Sequence, residues 1–142
     1  MSQPVLELQN ITKNFGQQTI LNHLSLSVKE GEVVVILGPS GCGKSTLLRC
    51  INKLESIQEG DILLDGQSIL SGTLSLQDIR QKIGMVFQKP TPFPMTIYDN
   101  IAFGVKLYES LSKSDMDDRV EWALTKAALW TEVKDKLGQN GL

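Results

Sequence analysis

The chain has 142 residues, of which 41% are hydrophobic, and its 14 Lys and Arg nearly balance its 16 Asp and Glu. A chain of this length buries about 70% of its unfolded surface, which is enough for one hydrophobic core but not for two independent ones. The balanced charge argues against a nucleic-acid-binding surface, which is usually basic. The longest apolar run, residues 33–37, is far shorter than the ~20 residues of a membrane-spanning helix.

Signals for secretion and for a disulfide framework are lacking in this sequence. The first four residues show no charged leader followed by an apolar stretch, so we expect no secretory signal. Cys42 and Cys50 have neither the number nor the spacing of a disulfide framework or a metal site. We interpret them as reduced thiols of a cytosolic protein.

Strand patterns dominate the first part of the chain. Apolar and polar residues alternate at residues 6–9 and 24–28, which predicts two half-buried antiparallel strands. Residues 33–37 are continuously apolar and mostly β-branched, which predicts a strand covered on both faces. Two further strands are predicted at residues 62–64 and 83–87.

Turn and helix signals separate these strands. Helical spacing predicts an amphipathic helix over residues 44–54, with Leu47, Leu48 and Ile51 on one side. An Asp-Gly pair at residues 65–66 is typical of a tight turn after the short strand.

The last third of the chain is predicted to form a loop followed by helices. Residues 90–94 contain three prolines, which mark a loop because proline cannot sit inside a central strand. Thr96 with Asp99, and Ser114 with Asp117, resemble the capping boxes that begin helices. The layout therefore predicts an α/β fold with a helical region at its C-terminal end.

One motif carries chemistry. Residues 38–45, G-P-S-G-C-G-K-S, match the phosphate-binding loop pattern G-x-x-x-x-G-K-[S/T]. Glycines allow backbone N–H groups to converge on an anion, and the helix that opens at Lys44 adds about half a unit of positive charge there. We predict that Lys44 bridges the β- and γ-phosphates, that the Ser45 hydroxyl binds Mg²⁺, and that Thr46 lies near the α-phosphate. The predicted nucleotide contacts of this loop are Gly38, Pro39, Ser40, Gly41, Cys42, Gly43, Lys44, Ser45 and Thr46.

A glycine-rich surface turn that matches the pattern by chance is the alternative interpretation of this motif. The context favours the phosphate-binding loop, because a strand is predicted immediately before it and an amphipathic helix immediately after it. The sequence therefore predicts nucleotide binding.

With this loop in place, the sequence resembles the ATP-binding-cassette (ABC) transporter ATPases. Phe15, followed by Gly16, resembles the aromatic residue that stacks on adenine in that family. Gln88 resembles the Q-loop glutamine, which contacts Mg²⁺ and the attacking water and senses the membrane partner. The resemblance thus implies catalytic roles for Lys44 and Gln88, and Mg²⁺ contacts for Ser45 and Gln88. From the residues alone, Phe15 would be a core or turn residue and Gln88 a polar strand end.

The resemblance also implies an architecture. It is a P-loop NTPase-type α/β core with an N-terminal antiparallel β subdomain, together spanning residues 1–88. Residues 89–142 would begin an α-helical subdomain. The implied cofactors are ATP and Mg²⁺.

The proline-rich segment narrows the resemblance to one subfamily. Residues 87–101 and 122–130 resemble the ATP-binding subunit of bacterial phosphate importers. The resemblance implies a homodimer of ATP-binding subunits together with two transmembrane permease subunits. It places the protein at the cytoplasmic face of the inner membrane, as a peripheral protein that binds no nucleic acid.

The chain covers only about the first half of the domain that the resemblance implies. It contains no LSGGQ signature and no Walker B strand followed by a catalytic glutamate. Asp65, the motif-like residues 52–55 and the single histidine, His23, mimic functional motifs at the wrong places in the chain. We therefore expect an incomplete domain of marginal stability that binds Mg-ATP and does not hydrolyse it alone, because residues 33–37 and 83–87 would each lack a neighbouring strand.

Two other function classes are compatible with this sequence. A non-catalytic regulatory module would bind Mg-ATP without hydrolysis and form a stable monomer. A small phosphate-loop kinase would need an arginine-rich lid, but Arg49, Arg80 and Arg119 are scattered, and a GTPase is the remaining variant of that class. A stacking aromatic does not distinguish ATP from GTP, because it contacts the face of the base rather than its edge.

Overall fold

The computed structural model describes residues 3–142 and divides the chain into two compact units. The first, here called the β unit, ends at Val86, and the second, the helical unit, runs from Phe87 to Leu142. Each unit has its own cluster of buried apolar side chains. The prediction of a single core, made from chain length, is therefore wrong. The smaller cluster consists of four buried residues with half-buried ones packed around them. The predicted division after residue 88 as a subdomain boundary stays a prediction.

Four antiparallel strands form the sheet of the β unit, in the order β2-β1-β3-β4. Their bounds are Leu6–Phe15 for β1, Gln18–Val28 for β2, Glu59–Leu64 for β3 and Gln67–Ser68 for β4. The strands predicted at residues 6–9, 24–28 and 62–64 are confirmed, and each is longer than predicted. The predicted Asp-Gly turn is also confirmed, since Asp65 and Gly66 join β3 to β4 with φ of 50° and 80°.

A bulge in β1 sets how closely β3 can approach it. Asn10 has φ of 48°, and its N–H donates to Ser25 Oγ on β2 at 3.0 Å. The β1–β3 register shifts next to this point, between Gln9 and Thr12. Gly60 of β3 faces the bulge with φ of 92°, and a Cβ there would lie 2.4 Å from the carbonyl oxygen of Gln9. Only glycine therefore fits at this position.

Two helices complete the β unit, α1 (Lys44–Ile51) and α2 (Leu76–Lys82). Leu47, Cys50 and Ile51 of α1 join the core that the sheet forms, whereas Leu48, expected on the same side, is exposed. The helix ends before the predicted residue 54. The sequence did not predict α2, which begins with a capping box between Ser75 and Asp78 and buries Ile79 in the same core.

Residues 33–37 and 83–87, both predicted as strands, form none. Val33 and Leu37 are each 87% exposed, and Val86 is 98% exposed. Backbone N–H and C=O groups of an extended segment need a neighbouring strand as partner, and the described part of the chain provides none for these segments. The prediction of a strand covered on both faces is therefore wrong here, while the expectation that both segments lack a neighbour agrees with the structure.

The helical unit contains α3 (Ile97–Tyr108), α4 (Lys113–Lys126) and α5 (Trp130–Val133). Thr96 caps α3 as predicted, because its Oγ1 accepts the N–H of Asp99 at 3.0 Å. The next helix begins earlier than predicted, at a cap formed by Ser112 and the N–H of Asp115. No described helix combines the length and apolar character needed to cross a membrane.

Candidate functional site

The phosphate-loop motif forms a tight loop between the extended residues 33–37 and the start of α1. Gly43 is the N-cap of α1 with φ of 102°, and a Cβ there would lie 2.7 Å from Ile20 Cγ2 on β2. Gly38 lies against Cys42, whose Sγ would be 2.7 Å from a Cβ at residue 38. Gly41, with φ of 81°, has open space where a Cβ would lie. The glycines thus give the loop a conformation and a closeness of packing that other residues would not permit.

Lys44 turns back over this loop. Its Nζ donates hydrogen bonds to the carbonyl oxygens of Gly38 and Pro39, the latter at 3.0 Å. Within residues 3–142 no carboxylate forms an ion pair with this ammonium group. The loop therefore carries a positive charge that neutral carbonyls hold in place and that no acidic side chain neutralises.

The first turn of α1 adds donors to the same place. No side chain caps this helix end, and its first turn contains no acidic residue. The free N–H groups and the positive end of the helix dipole favour an anion. Ser45 is exposed and Thr46 is half-buried in this turn, so both hydroxyls lie beside the loop. The residues present fit a polyphosphate with a bound Mg²⁺ ion.

Phe15 ends β1 and precedes Gly16, which has φ of 61° in the turn to β2. Phe15 is 46% exposed, so it is a strand-end residue rather than part of the core. The Nζ atom of Lys13 lies 4.7 Å from the ring centroid. This lysine is buried. The sequence did not indicate this, because a charged residue in a strand is normally exposed.

Residues 21–141 match the ABC transporter family. The chain belongs to this family. Its fold is that of the N-terminal part of an ABC ATPase domain, and ABC ATPase domains bind ATP with Mg²⁺.

Two solved ABC structures resemble the chain throughout. One is a bacterial Atm1-family ABC exporter with ATP bound, at 30% identity and a TM-score of 0.78, covering 98% of this chain and 24% of that one. The other is cbiO1 from Clostridium perfringens, part of the ABC transporter complex cbiONQ, at 27% identity and a TM-score of 0.81, covering 98% and 55%. The chain thus spans about a quarter and about half of these two ABC proteins.

Gln88, the predicted Q-loop glutamine of this ABC domain, lies in the helical unit. It is exposed and occupies a bend that follows the extended residues 83–87, not the end of a strand. Its contacts with Mg²⁺ and water, like the roles of the phosphate-loop residues, stay predictions.

The three motif mimics occupy a turn, the end of a helix and a strand. Asp65 occupies the β3–β4 turn, 3.8 Å from Lys82. Asn52 caps the C-terminal end of α1 and donates from Nδ2 to Met85 Sδ at 3.2 Å. His23 is an exposed residue of β2. Among the described residues, no group of three or more His, Cys, Asp and Glu could hold a metal ion.

Proposed function

We propose that this chain binds Mg-ATP at the phosphate loop and belongs to the motor subunit of a bacterial ABC importer for inorganic phosphate. The observation that carries nucleotide binding is the ammonium of Lys44, held by the Gly38 and Pro39 carbonyls above a glycine loop. An incoming polyphosphate offers charged oxygens in place of these neutral acceptors, which makes the exchange favourable.

The proposed roles follow the chemistry of each group. Lys44 holds β- and γ-phosphate oxygens, and the loop N–H groups hold the remaining charge. The Ser45 hydroxyl would hold a bound Mg²⁺ ion, which would neutralise charge on the phosphates. Phe15 stacks on the adenine face. The other proposed contacts are Gly38, Pro39, Ser40, Gly41, Cys42, Gly43 and Thr46.

The proposed partners are a second ATP-binding subunit and two transmembrane permease subunits, at the cytoplasmic face of the inner membrane. ATP binding and hydrolysis at the subunit pair would drive transport. Inorganic phosphate as cargo is supported by residues 87–101, whose proline-rich sequence resembles phosphate-importer subunits.

Calorimetric titration with Mg-ATP tests the nucleotide site. We expect Lys44→Ala to weaken binding by about 10- to 100-fold, because a charged donor to phosphate is lost. Lys29→Ala is the matched control, since Lys29 is an exposed lysine outside the loop. Equal affinity of Lys44→Ala and the wild type would refute the proposed site.

Steady-state phosphate release tests the expectation that these 142 residues do not hydrolyse ATP alone. They contain no signature motif and no catalytic glutamate after a Walker B strand. Loss of several charge-stabilising groups together should leave no measurable turnover, since one such group typically contributes ~10²–10³ in rate. Turnover that disappears in Lys44→Ala would contradict this expectation.

Uptake of radiolabelled phosphate by cells in which Lys44→Ala replaces the wild-type residue tests the cargo. We expect phosphate uptake to fall while sulfate uptake stays unchanged. A fall in sulfate uptake with phosphate uptake intact would refute phosphate as cargo.

A further inference from the structure

A buried lysine lies next to the aromatic ring at the end of β1. Lys13 is only 4% exposed, and its Nζ lies 3.5 Å from Glu55 Oε2. The same nitrogen lies 4.7 Å from the centroid of the Phe15 ring. Burial of an ammonium group is costly unless charged or polarisable partners surround it. Here the partners are one carboxylate and one face of an aromatic ring.

The ammonium lies over a ring at the very end of a strand. Phe15 is the last residue of β1 and is followed by a glycine turn, so the strand ladder ends at this residue. Nearly half of its surface is exposed. A cation against one ring face attracts the ring electrostatically, and the attraction is stronger when the cation is desolvated. The ammonium therefore favours one orientation of the ring.

Two neighbours of Lys13 link it to the two ends of α1. In the β1–β2 ladder it pairs with Leu21, whose Cδ2 would be 3.3 Å from a Cβ at Gly43, the N-cap of α1. Its partner Glu55 is tied to the last turn of the same helix, because the N–H of Glu55 donates to the carbonyl of Arg49 at 3.1 Å. The ring and the phosphate loop are thus placed relative to each other through one ion pair and one helix.

We propose that Lys13 is a positioning residue for nucleotide binding: anchored by Glu55, its ammonium holds the Phe15 ring so that the opposite face stacks on the base of a purine nucleotide. The proposal rests on the proposed function of Phe15 as the base platform. A cation behind the ring also withdraws electron density from it, which favours stacking on an electron-rich purine. Lys13 itself contacts neither base nor phosphate in this arrangement.

Calorimetric titration with two probes separates this role from a general one. Mg-ATP carries a base, whereas Mg-tripolyphosphate carries only the phosphates. We expect Lys13→Met to weaken Mg-ATP binding about 5- to 10-fold, in line with the loss of a desolvated cation–ring contact, and to leave tripolyphosphate affinity within about twofold. Lys13→Arg keeps a cation at the ring and should restore Mg-ATP affinity to within about twofold of the wild type. Lys29→Met serves as the surface control.

Three results would overturn the proposal. Equal weakening for both probes would make Lys13 a support of the loop or the fold. Unchanged Mg-ATP affinity in Lys13→Met, with weakening in Phe15→Ala, would show that the ring does not depend on the ammonium. Unchanged Mg-ATP affinity in Phe15→Ala would refute the base platform itself, whereas unchanged affinity in Lys44→Ala would refute the whole nucleotide site.

Two further measurements keep the test independent of folding defects. The double variant Lys13→Met/Glu55→Gln removes the charge left behind by the single substitution, and it should show the same selective loss for Mg-ATP. Without any ligand, ring current from Phe15 should shift the NMR signals of the Lys13 ε-methylene protons upfield, and Phe15→Ala should abolish this shift. An ε-methylene signal that does not respond to Phe15→Ala would contradict the geometry.

Discussion

The helical unit buries Ala102, Met116, Val120 and Leu124 between its helices, whereas the β unit leaves the apolar residues 33–37 exposed to solvent. Both regions are rich in apolar residues, and both were predicted to form regular structure. The helices predicted in the helical unit form, whereas the strand predicted at residues 33–37 does not. In the β unit, β1 pairs with β2, β3 with β4, and β1 with β3. Among the described residues no further strand joins this sheet.

The difference comes from where each structure finds its hydrogen-bond partners. A helix pairs each N–H with a carbonyl four residues away, so α3 and α4 form once their caps and apolar faces are in place. A strand needs a second strand, and sequence composition cannot provide one. Residues 33–37 are therefore exposed because they lack a neighbouring strand, not because their strand propensity is weak.

The largest expected contrast is between two leucines of the β unit. Leu8 of β1 is 1% exposed and Leu37 is 87% exposed. We expect Leu8→Ala to lower the free energy of unfolding by about 3 kcal/mol, from lost burial and a residual cavity. Leu37→Ala should change it by less than about 0.5 kcal/mol.

Hydrogen-exchange mass spectrometry of the β1 and β3 amides measures this contrast. Trp or Tyr fluorescence would not report on the β unit, because both Trp and both Tyr residues of the chain lie in the helical unit. A loss in Leu37→Ala as large as that in Leu8→Ala would mean that residues 33–37 are buried after all.

A glycine pair tests how the sheet is held together at the bulge. Gly60 and Gly72 have φ of 92° and 81°, but only a Cβ at Gly60 would meet backbone atoms, at 2.4 Å and 2.5 Å. We expect Gly72→Ala to cost about 1 kcal/mol of unfolding free energy from its positive φ, and Gly60→Ala to cost about 2–3 kcal/mol. The same exchange measurement applies, and equal costs would show that β1 and β3 are not in close contact there.

In the helical unit, Asn100 closes the loop before α3. Its Oδ1 accepts the N–H of Phe93 at 2.7 Å, and its Nδ2 donates to the carbonyl oxygens of Phe93, Met95 and Thr96 at 3.0–3.2 Å. We expect Asn100→Ala to lower the unfolding free energy by about 1–2 kcal/mol, since several partners lose their bonds at once. Urea unfolding followed by Trp fluorescence measures this effect. Asn140→Ala, which removes one local bond, is the control and should cost clearly less.

The smallest effect concerns pH. The hydrogen bond from Tyr98 to Asp117, with Oη and Oδ1 2.5 Å apart, raises the pKa of Tyr98 to about 12 from 10.0 and lowers the pKa of Asp117. Stability from the raised Tyr98 pKa is present below pH 10 and is lost as the pH rises towards 12. Stability from the lowered Asp117 pKa is present above about pH 4, near its ordinary value, and is lost as the pH falls.

Tyr98→Phe should therefore remove part of the fall in Tm between pH 10 and 12, measured by Trp fluorescence. Tyr108→Phe, in the same helix, should retain that fall. Identical alkaline profiles for Tyr98→Phe and the wild type would show that the Tyr98–Asp117 bond does not contribute.

Prediction from sequence succeeded where the signal and its structural partner lie within a few residues of each other. Thr96 and Asp99 form the predicted helix start, and the Asp-Gly pair at residues 65–66 forms the predicted turn. The same proximity misled the prediction once, because Ser112 and Ser114 both have an Asp three residues later and the helix begins at the first.

Within the candidate site, too, the local features were predicted and the long-range contacts were not. The glycines of the phosphate loop and Lys44 were identified from an eight-residue pattern. In the structure these residues form a loop at the start of α1, and Lys44 donates a hydrogen bond back to it. The contact of Lys13 with Glu55 could not be identified, because 42 residues separate them and no local pattern links a strand residue to the end of α1.

The sequence by itself determined the loop torsions, the caps and the periodicity of the helices, since these depend on glycine flexibility, short polar side chains and hydrogen bonds a few residues long. Only the tertiary structure decided that residues 33–37 lack a strand partner, that two hydrophobic clusters form, and that an ammonium lies beneath the Phe15 ring. Each of these depends on groups far apart in the chain, whose meeting is set by the packing of the whole unit.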